Sequence, residues 1–206
     1  MTSVIPCRRM LPTLFLAACV AVAGQARADA DHWVIDEAHL SVNFLVDHIG
    51  FSSVLGMFLD AEGEFVYDPD AMELESGRVV IRTDSVFTNH DERDEHLRDD
   101  DFLDAGEYEE MVFTATAFEP DGEDGGQLTG DLELLGVTRP VTLDVTINRI
   151  DEYPIRDGLF GGYPYVLGAS LRGTLNRSDW GMDYGIEEGL VGDEVELILE
   201  LEARRQ

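Results

Sequence analysis

The chain contains no lysine. All 14 of its basic residues are arginine, set against 43 aspartates and glutamates for a formal charge of −29 over 206 residues. Such a surface repels phosphate backbones, which excludes nucleic acid as a partner, and it disfavours docking on anionic lipid head groups. Cysteine is nearly absent: Cys7 and Cys19 are the only two, and both precede residue 20. The rest of the chain therefore has no disulfide, no thiolate nucleophile and no cysteine metal site. No apolar run reaches the ~20 residues of a membrane-spanning helix. Apolar residues at 44%, charged residues at 28% and aromatics at 9% make an ordinary globular balance and exclude disordered and low-complexity classes.

The first 28 residues read as a secretory signal peptide. Arg8 and Arg9 precede an apolar run from Met10 to Ala23, and the small residues of Ala26-Arg27-Ala28-Asp29-Ala30 follow with A-x-A spacing. Export to the periplasm, with cleavage near Ala28 or Ala30, is the expectation. Leu16-Ala17-Ala18-Cys19 also matches a lipobox, and the alternative is a lipoprotein anchored through Cys19. Losing Arg8, Arg9 and Arg27 deepens the negative charge. So acidic and lysine-free a surface reads as salt-adapted, because at ~1 M salt the Debye length is about 3 Å and self-repulsion is screened.

Beyond residue 40 the hydrophobic period is two. Val42, Phe44 and Val46 share one face. Met57, Leu59, Ala61, Phe65 and Tyr67 share another, opposite Phe58, Asp60 and Glu62, with Gly63 marking a bend or bulge. Similar alternation runs through 79–84, 111–117, 128–134, 141–148, 165–175 and 195–202. That makes eight strands with one apolar and one acidic or hydroxylic face. Turn signals at 121–126, 139–140, 157–158 and 161–162 separate them. One charged patch, His90 to Leu103, reads as a short helix between strands 3 and 4, with Leu97, Phe102 and Leu103 as its apolar anchors. A single all-β domain from 31 to 204 results. It closes as a barrel or stacks as a sandwich. A barrel of eight long strands either fills with side chains or holds one small ligand.

Catalytic signatures are missing. Gly168-Ala169-Ser170-Leu171-Arg172 fails as a nucleophile elbow at its last position and lies in a strand. The five histidines at 32, 39, 48, 90 and 96 have no metal-ligand spacing, so no metal site is expected. Asp99-Asp100-Asp101 lacks the spacing of a calcium loop.

Five ordered segments carry a resemblance to a known family. Trp33-Val-Ile-Asp36-x-x-His39 leads into Val42-x-Phe44-x-Val46-x-His48-x-Gly50, and Gly56-x-Phe58 follows. Arg93-Asp94-Glu95-His96-Leu97-Arg98 through Phe102 is the most specific piece. Gly130 to Val141 reads GDLELLGVTRPV, Asn176 to Met182 reads NRSDWGM, and Gly192-Asp193 opens the last strand. Together they resemble the YceI-like family of exported polyisoprenoid-binding proteins. The resemblance implies an elongated, lipocalin-like, eight-stranded antiparallel barrel that holds an isoprenoid lipid or the tail of a quinone. It also implies a periplasmic, often dimeric protein with no enzymatic activity and no cofactor beyond the bound lipid. Leu40 and Trp180 depart from the family's usual Ser and Phe, and the second bears on the shape of the cavity.

On this reading Val42, Phe44, Met57, Leu59, Phe65 and Ile81 face the ligand from the first half of the barrel. Phe113, Leu132, Leu143, Val145, Tyr165, Leu167, Leu197 and Leu199 do so from the second, with Trp180 beside them. His48, Arg93 and His96 are candidates to meet a polar head near the mouth. The acidic field penalises a diphosphate head, so a neutral head such as a quinone ring is expected. Two rival readings remain: an isoprenoid-processing enzyme using His48, Arg93 and Asp94, and a stress-related structural barrel with a filled interior.

Overall fold

The computed structural model describes residues 30–159 and 161–206. The expected signal peptide, Cys7 and Cys19 lie outside the described residues. Eleven strands form one antiparallel sheet: β1 (Asp31–Ile35), β2 (Ser41–His48), β3 (Ser52–Phe58), β4 (Ala61–Asp68), β5 (Glu73–Arg82), β6 (Val86–Phe87), β7 (Glu110–Pro120), β8 (Gly125–Leu134), β9 (Val137–Glu152), β10 (Tyr165–Asn176) and β11 (Val191–Arg205). The single α-helix among the described residues, α1 (Asp91–Arg98), follows β6. The order β1-β4-β5-β7-β8-β9-β10-β11 closes on itself, because β1 also pairs with β11. This is the expected closed eight-stranded antiparallel barrel.

Three of the barrel's eight long strands are each broken in two, which accounts for the count of eleven. The first breaks at a 3-10 turn, Glu37–His39, where the Asp36 carboxylate accepts the Ala38 N–H at 3.1 Å. β1 then pairs with the end of β11 (Trp33 opposite Arg205) and β2 with its start (Val46 opposite Val195). The second breaks at Leu59-Asp60, where the backbone leaves the ladder to bond Ser85. The third breaks at Thr83–Ser85: Thr83 is wholly buried and its hydroxyl donates to the Tyr108 carbonyl at 2.6 Å. Gly63 makes no bulge. It pairs in register with Val79, and the irregularity lies at Val66-Tyr67. A Cβ at Gly63 would stand 2.8 Å from the Arg78 carbonyl, so the glycine serves close strand approach.

The helix is short and almost wholly polar, and its stability comes from its ends. His90 caps it by accepting the Arg93 N–H, and acids fill the first turn with His96 and Arg98 in the last, matching the helix dipole. Arg98 donates to the carbonyls of Asp84 (2.8 Å) and Val86 (3.1 Å), satisfying the free edge of the two-residue strand β6. The segment from α1 to β7 thereby fills the gap between β6 and β7, two strands that do not pair. No helix among the described residues is long and apolar enough to cross a membrane.

Candidate functional site, an apolar hollow along the barrel

The inward residues of the strands do not meet across the barrel axis. They leave a hollow of about 290 Å³ whose accessible wall is entirely apolar. That lies at the low end of the ~300–1,000 Å³ of ligand sites. Taking a methylene to need about the ~30 Å³ of a liquid water, it takes at least about ten carbon atoms.

Eleven of the predicted positions line it: Val42, Phe44, Phe65, Ile81, Phe113, Leu132, Leu143, Val145, Leu167, Leu197 and Leu199. Strict alternation explains why. On β11, for example, Val195, Leu197, Leu199 and Leu201 reach the hollow while Glu196 and Glu200 alternate with them.

Met57 and Leu59 are corrected. Neither lines the hollow, and Leu59 is 67% exposed. The break at Leu59-Asp60 reverses strand parity, so Phe58 points inward on β3, packing on Phe44 at 5.7 Å between ring centroids, while Phe65 and Tyr67 do so on β4. A continuous period of two across the break puts the wrong set inside.

Tyr165 and Trp180 belong to the ends of the barrel rather than to the wall. Tyr165 packs on Trp33, which is 0% exposed and stacks on Phe65. Trp180 is buried, and its indole N–H donates to the Leu132 carbonyl at 3.2 Å.

None of the polar trio lines the hollow. His48 is an exposed residue at the end of β2, outside the wall. Arg93 donates through Nε to the Thr88 hydroxyl (2.7 Å) and through Nη2 to the Thr88 carbonyl (2.8 Å). Its neighbour Asp94 is buried and accepts both the Thr88 N–H (2.8 Å) and the Thr88 hydroxyl. His96 pairs with Asp101 at 3.0 Å and packs edge-on against Phe102 and Tyr184. The helix motif is thus a clamp on residues 84–88. What it delivers to the hollow is Leu97, Phe102 and Leu103.

A second clamp faces it. Arg177, 3% exposed, donates to four carbonyls: Met182 (2.7 Å), Gly192 and Tyr184 (both 2.8 Å) and Val191 (3.1 Å). Its guanidinium carbon lies 5.7 Å from the Phe102 ring centroid. Burial lowers its pKa, with Asp193 and Asp183 opposing. Ser178 donates its N–H and its hydroxyl to Asp193, each at 2.9 Å. The NRSDWGM segment and the Gly192-Asp193 pair therefore knot one end of the barrel and bring Met182 and Val191 to the wall. Arg177, Met182 and Val191 lie in or beside loops, where no hydrophobic period announces them.

Beyond the wall itself, Asp36 ties the first strand to the last. Burial pushes its carboxyl pKa up, but the bonds from His39, the Ala38 N–H and Arg204 outweigh it and hold the pKa below the ordinary value. Arg204 reaches it at 2.9 Å and His39 at 3.2 Å.

Comparison with known proteins agrees with this architecture. Protein YceI of Escherichia coli O17:K52:H18 is 36% identical over 200 residues, spanning 97% of this chain and 99% of its own. The Campylobacter jejuni YCEI crystal structure superposes with a TM-score of 0.68 at 32% identity, covering 78% of this chain and 90% of that one. A domain from Saccharophagus degradans, described as polyisoprenoid binding, superposes with a TM-score of 0.60 over 86% of this chain and 99% of that one. At 14% identity that likeness is one of fold. The model of the YceI-like domain matches residues 33–203, and the chain belongs to this family.

Proposed function

We propose that the protein binds the hydrocarbon tail of an isoprenoid lipid, a prenyl lipid or isoprenoid quinone, in the barrel and carries or stores it in the periplasm. The hollow with its apolar accessible wall is the observation that carries this reading. The polyisoprenoid-binding description of the Saccharophagus neighbour supports it. Ten buried methylenes contribute ~8 kcal/mol gross. An association cost of ~4 kcal/mol or more leaves them at about millimolar affinity. Micromolar binding needs about fifteen carbons or more on the same arithmetic, which favours a long tail.

A neutral head fits better than a diphosphate. The overall charge is −29, and of the two arginines that border the hollow, Arg78 and Arg177, the buried guanidinium of Arg177 is engaged by backbone carbonyls. A binder without catalysis is the reading supported by Arg93 and Asp94, two of the three residues of the enzyme alternative, which are engaged in holding Thr88, while the third, His48, is exposed at the end of β2. Lipid extracted from the protein purified from its own host, weighed by mass spectrometry, tests the reading. A stoichiometric neutral isoprenoid is expected. A stoichiometric phosphorylated lipid contradicts the head-group assignment, and no lipid at all contradicts the carrier.

A further inference from the structure

The turn joining β2 to β3 exposes hydrophobic side chains in a conformation that disfavours them. Ile49 (φ 55°) and Gly50 (φ 68°) both have positive φ, and the Phe51 N–H bonds the His48 carbonyl at 3.1 Å, which makes a type I′ turn. Glycine, asparagine or aspartate is usual at the first of these positions, whereas a β-branched residue there is strained. Ile49 is nevertheless 45% exposed, so core packing does not repay that strain, and Phe51 beside it is 91% exposed. Leu190, 41% exposed, joins them through the bond from the Ile49 N–H to its carbonyl. The segment 49–59 contains no charged residue in a chain with 43 acids.

This tip stands at an end of the hollow. His48 pairs with Val191, a wall residue, so the turn begins one rung beyond the wall. Another exposed apolar loop, with Ile155 and Leu159, lies at the opposite end, where Val166 pairs with Arg204; it carries Arg156 and Asp157 and follows Asp151 and Glu152 at the end of β9.

We infer that Ile49, Phe51 and Leu190, at the end of the barrel that Arg177 knots, form a membrane-docking tip that enters the surface of a bilayer with neutral head groups. The inference rests on the lipid-binding reading. The exposed tip amounts to about 300 Å², far below the ~800 Å² per partner of a stable protein interface. Three buried side chains are enough for reversible contact with a bilayer. Asp47, Glu187 and Glu188 flank the tip in sequence, and together with the overall charge they select against anionic bilayers.

Co-sedimentation with phosphatidylcholine vesicles tests it, using the purified protein and its Ile49→Asn and Phe51→Ser variants. Each variant is expected to lower the vesicle-bound fraction at least tenfold. Ile49→Asn keeps or raises the thermal midpoint, because asparagine suits the positive φ, so its loss of binding is not a loss of fold. Adding phosphatidylglycerol to the vesicles weakens wild-type binding. A Leu197→Trp variant, which fills the hollow, loses lipid but still co-sediments, and this separates failure of docking from failure of the carrier reading. Wild-type protein that ignores phosphatidylcholine vesicles, or variants that bind as it does, overturns the inference. So does a dimer in sedimentation velocity that Phe51→Ser dissolves, since the tip is then an interface between copies.

Discussion

The ring of Phe44 lies against Gly56, its cross-strand partner, so closely that a Cβ at position 56 would stand 2.1 Å from the ring's Cζ. The glycine is the space in which the ring lies, and the ring in turn holds Phe58 at the wall of the hollow. Gly56→Ala must turn Phe44 towards the axis. We expect a loss of ~1–3 kcal/mol in urea unfolding from overpacking, together with reduced lipid content in the purified protein. An alanine variant with unchanged stability and unchanged lipid content contradicts this placement.

Arg177 is the costliest polar residue to remove. Its guanidinium satisfies four carbonyls in a buried end of the barrel, and no other side chain among the described residues bonds them. Arg177→Met is expected to cost about 3 kcal/mol or more, since stranded buried carbonyls cost ~1–3 kcal/mol each. Arg177→Lys recovers little of this, because an ammonium lacks the planar fork. Chemical denaturation of the three proteins measures the difference. A lysine variant as stable as wild type would show that charge alone matters.

Acid sensitivity follows from the carboxylates whose pKa the fold depresses. Asp36 is lowered by His39, the Ala38 N–H and Arg204 against its burial, and Glu200 is lowered by Ser170 and Arg172. A group with a depressed folded pKa lends stability that is complete above its unfolded pKa of ~4 and is lost as pH falls through the folded value. Thermal midpoints should therefore decline below about pH 4. Asp36→Asn should lower the midpoint near neutral pH and flatten the acid limb. A variant with the wild-type slope removes Asp36 from the account.

Salt is expected to act in the opposite sense to its usual effect on ion pairs. The pairs here are mostly at the surface, such as Arg82 with Glu110 and Arg149 with Asp151, and contribute little. Repulsion among the acids is larger. Raising potassium chloride from ~0.1 M to ~1 M shortens the Debye length from about 10 Å to about 3 Å and should raise the thermal midpoint. A midpoint that falls with salt would refute the salt-adapted reading of the composition.

The strand faces were legible because a strand buried on one side writes its geometry as a period of two. The β9 and β11 faces, with Val141, Leu143 and Val145 on one and Leu197 and Leu199 on the other, were read directly. The period failed at Leu59-Asp60. Nothing in that dipeptide marks a break, which is made by Ser85, 25 residues away. Parity then reversed, and Phe58 replaced Met57 in the interior. The helix motif was recognisable as a motif but not as a clamp, since the partners of Arg93, Asp94 and Arg98 are Thr88 and the backbone of residues 84–86. Polar side chains in a recurring motif suggested a head-group site, whereas their bonds serve closure of the barrel. Lining residues in loops, Met182 and Val191 among them, depend on where Arg177 gathers carbonyls, a tertiary fact without a local signal.

The central claim is that the hollow holds a hydrocarbon tail. Titration of the delipidated protein with quinones carrying one to four isoprene units, followed by quenching of tryptophan fluorescence, tests it most directly. One site per chain is predicted, with affinity tightening as each unit is added until the hollow is full, and with binding abolished by Leu197→Trp. Affinity independent of tail length, or unchanged in the filled variant, would contradict it.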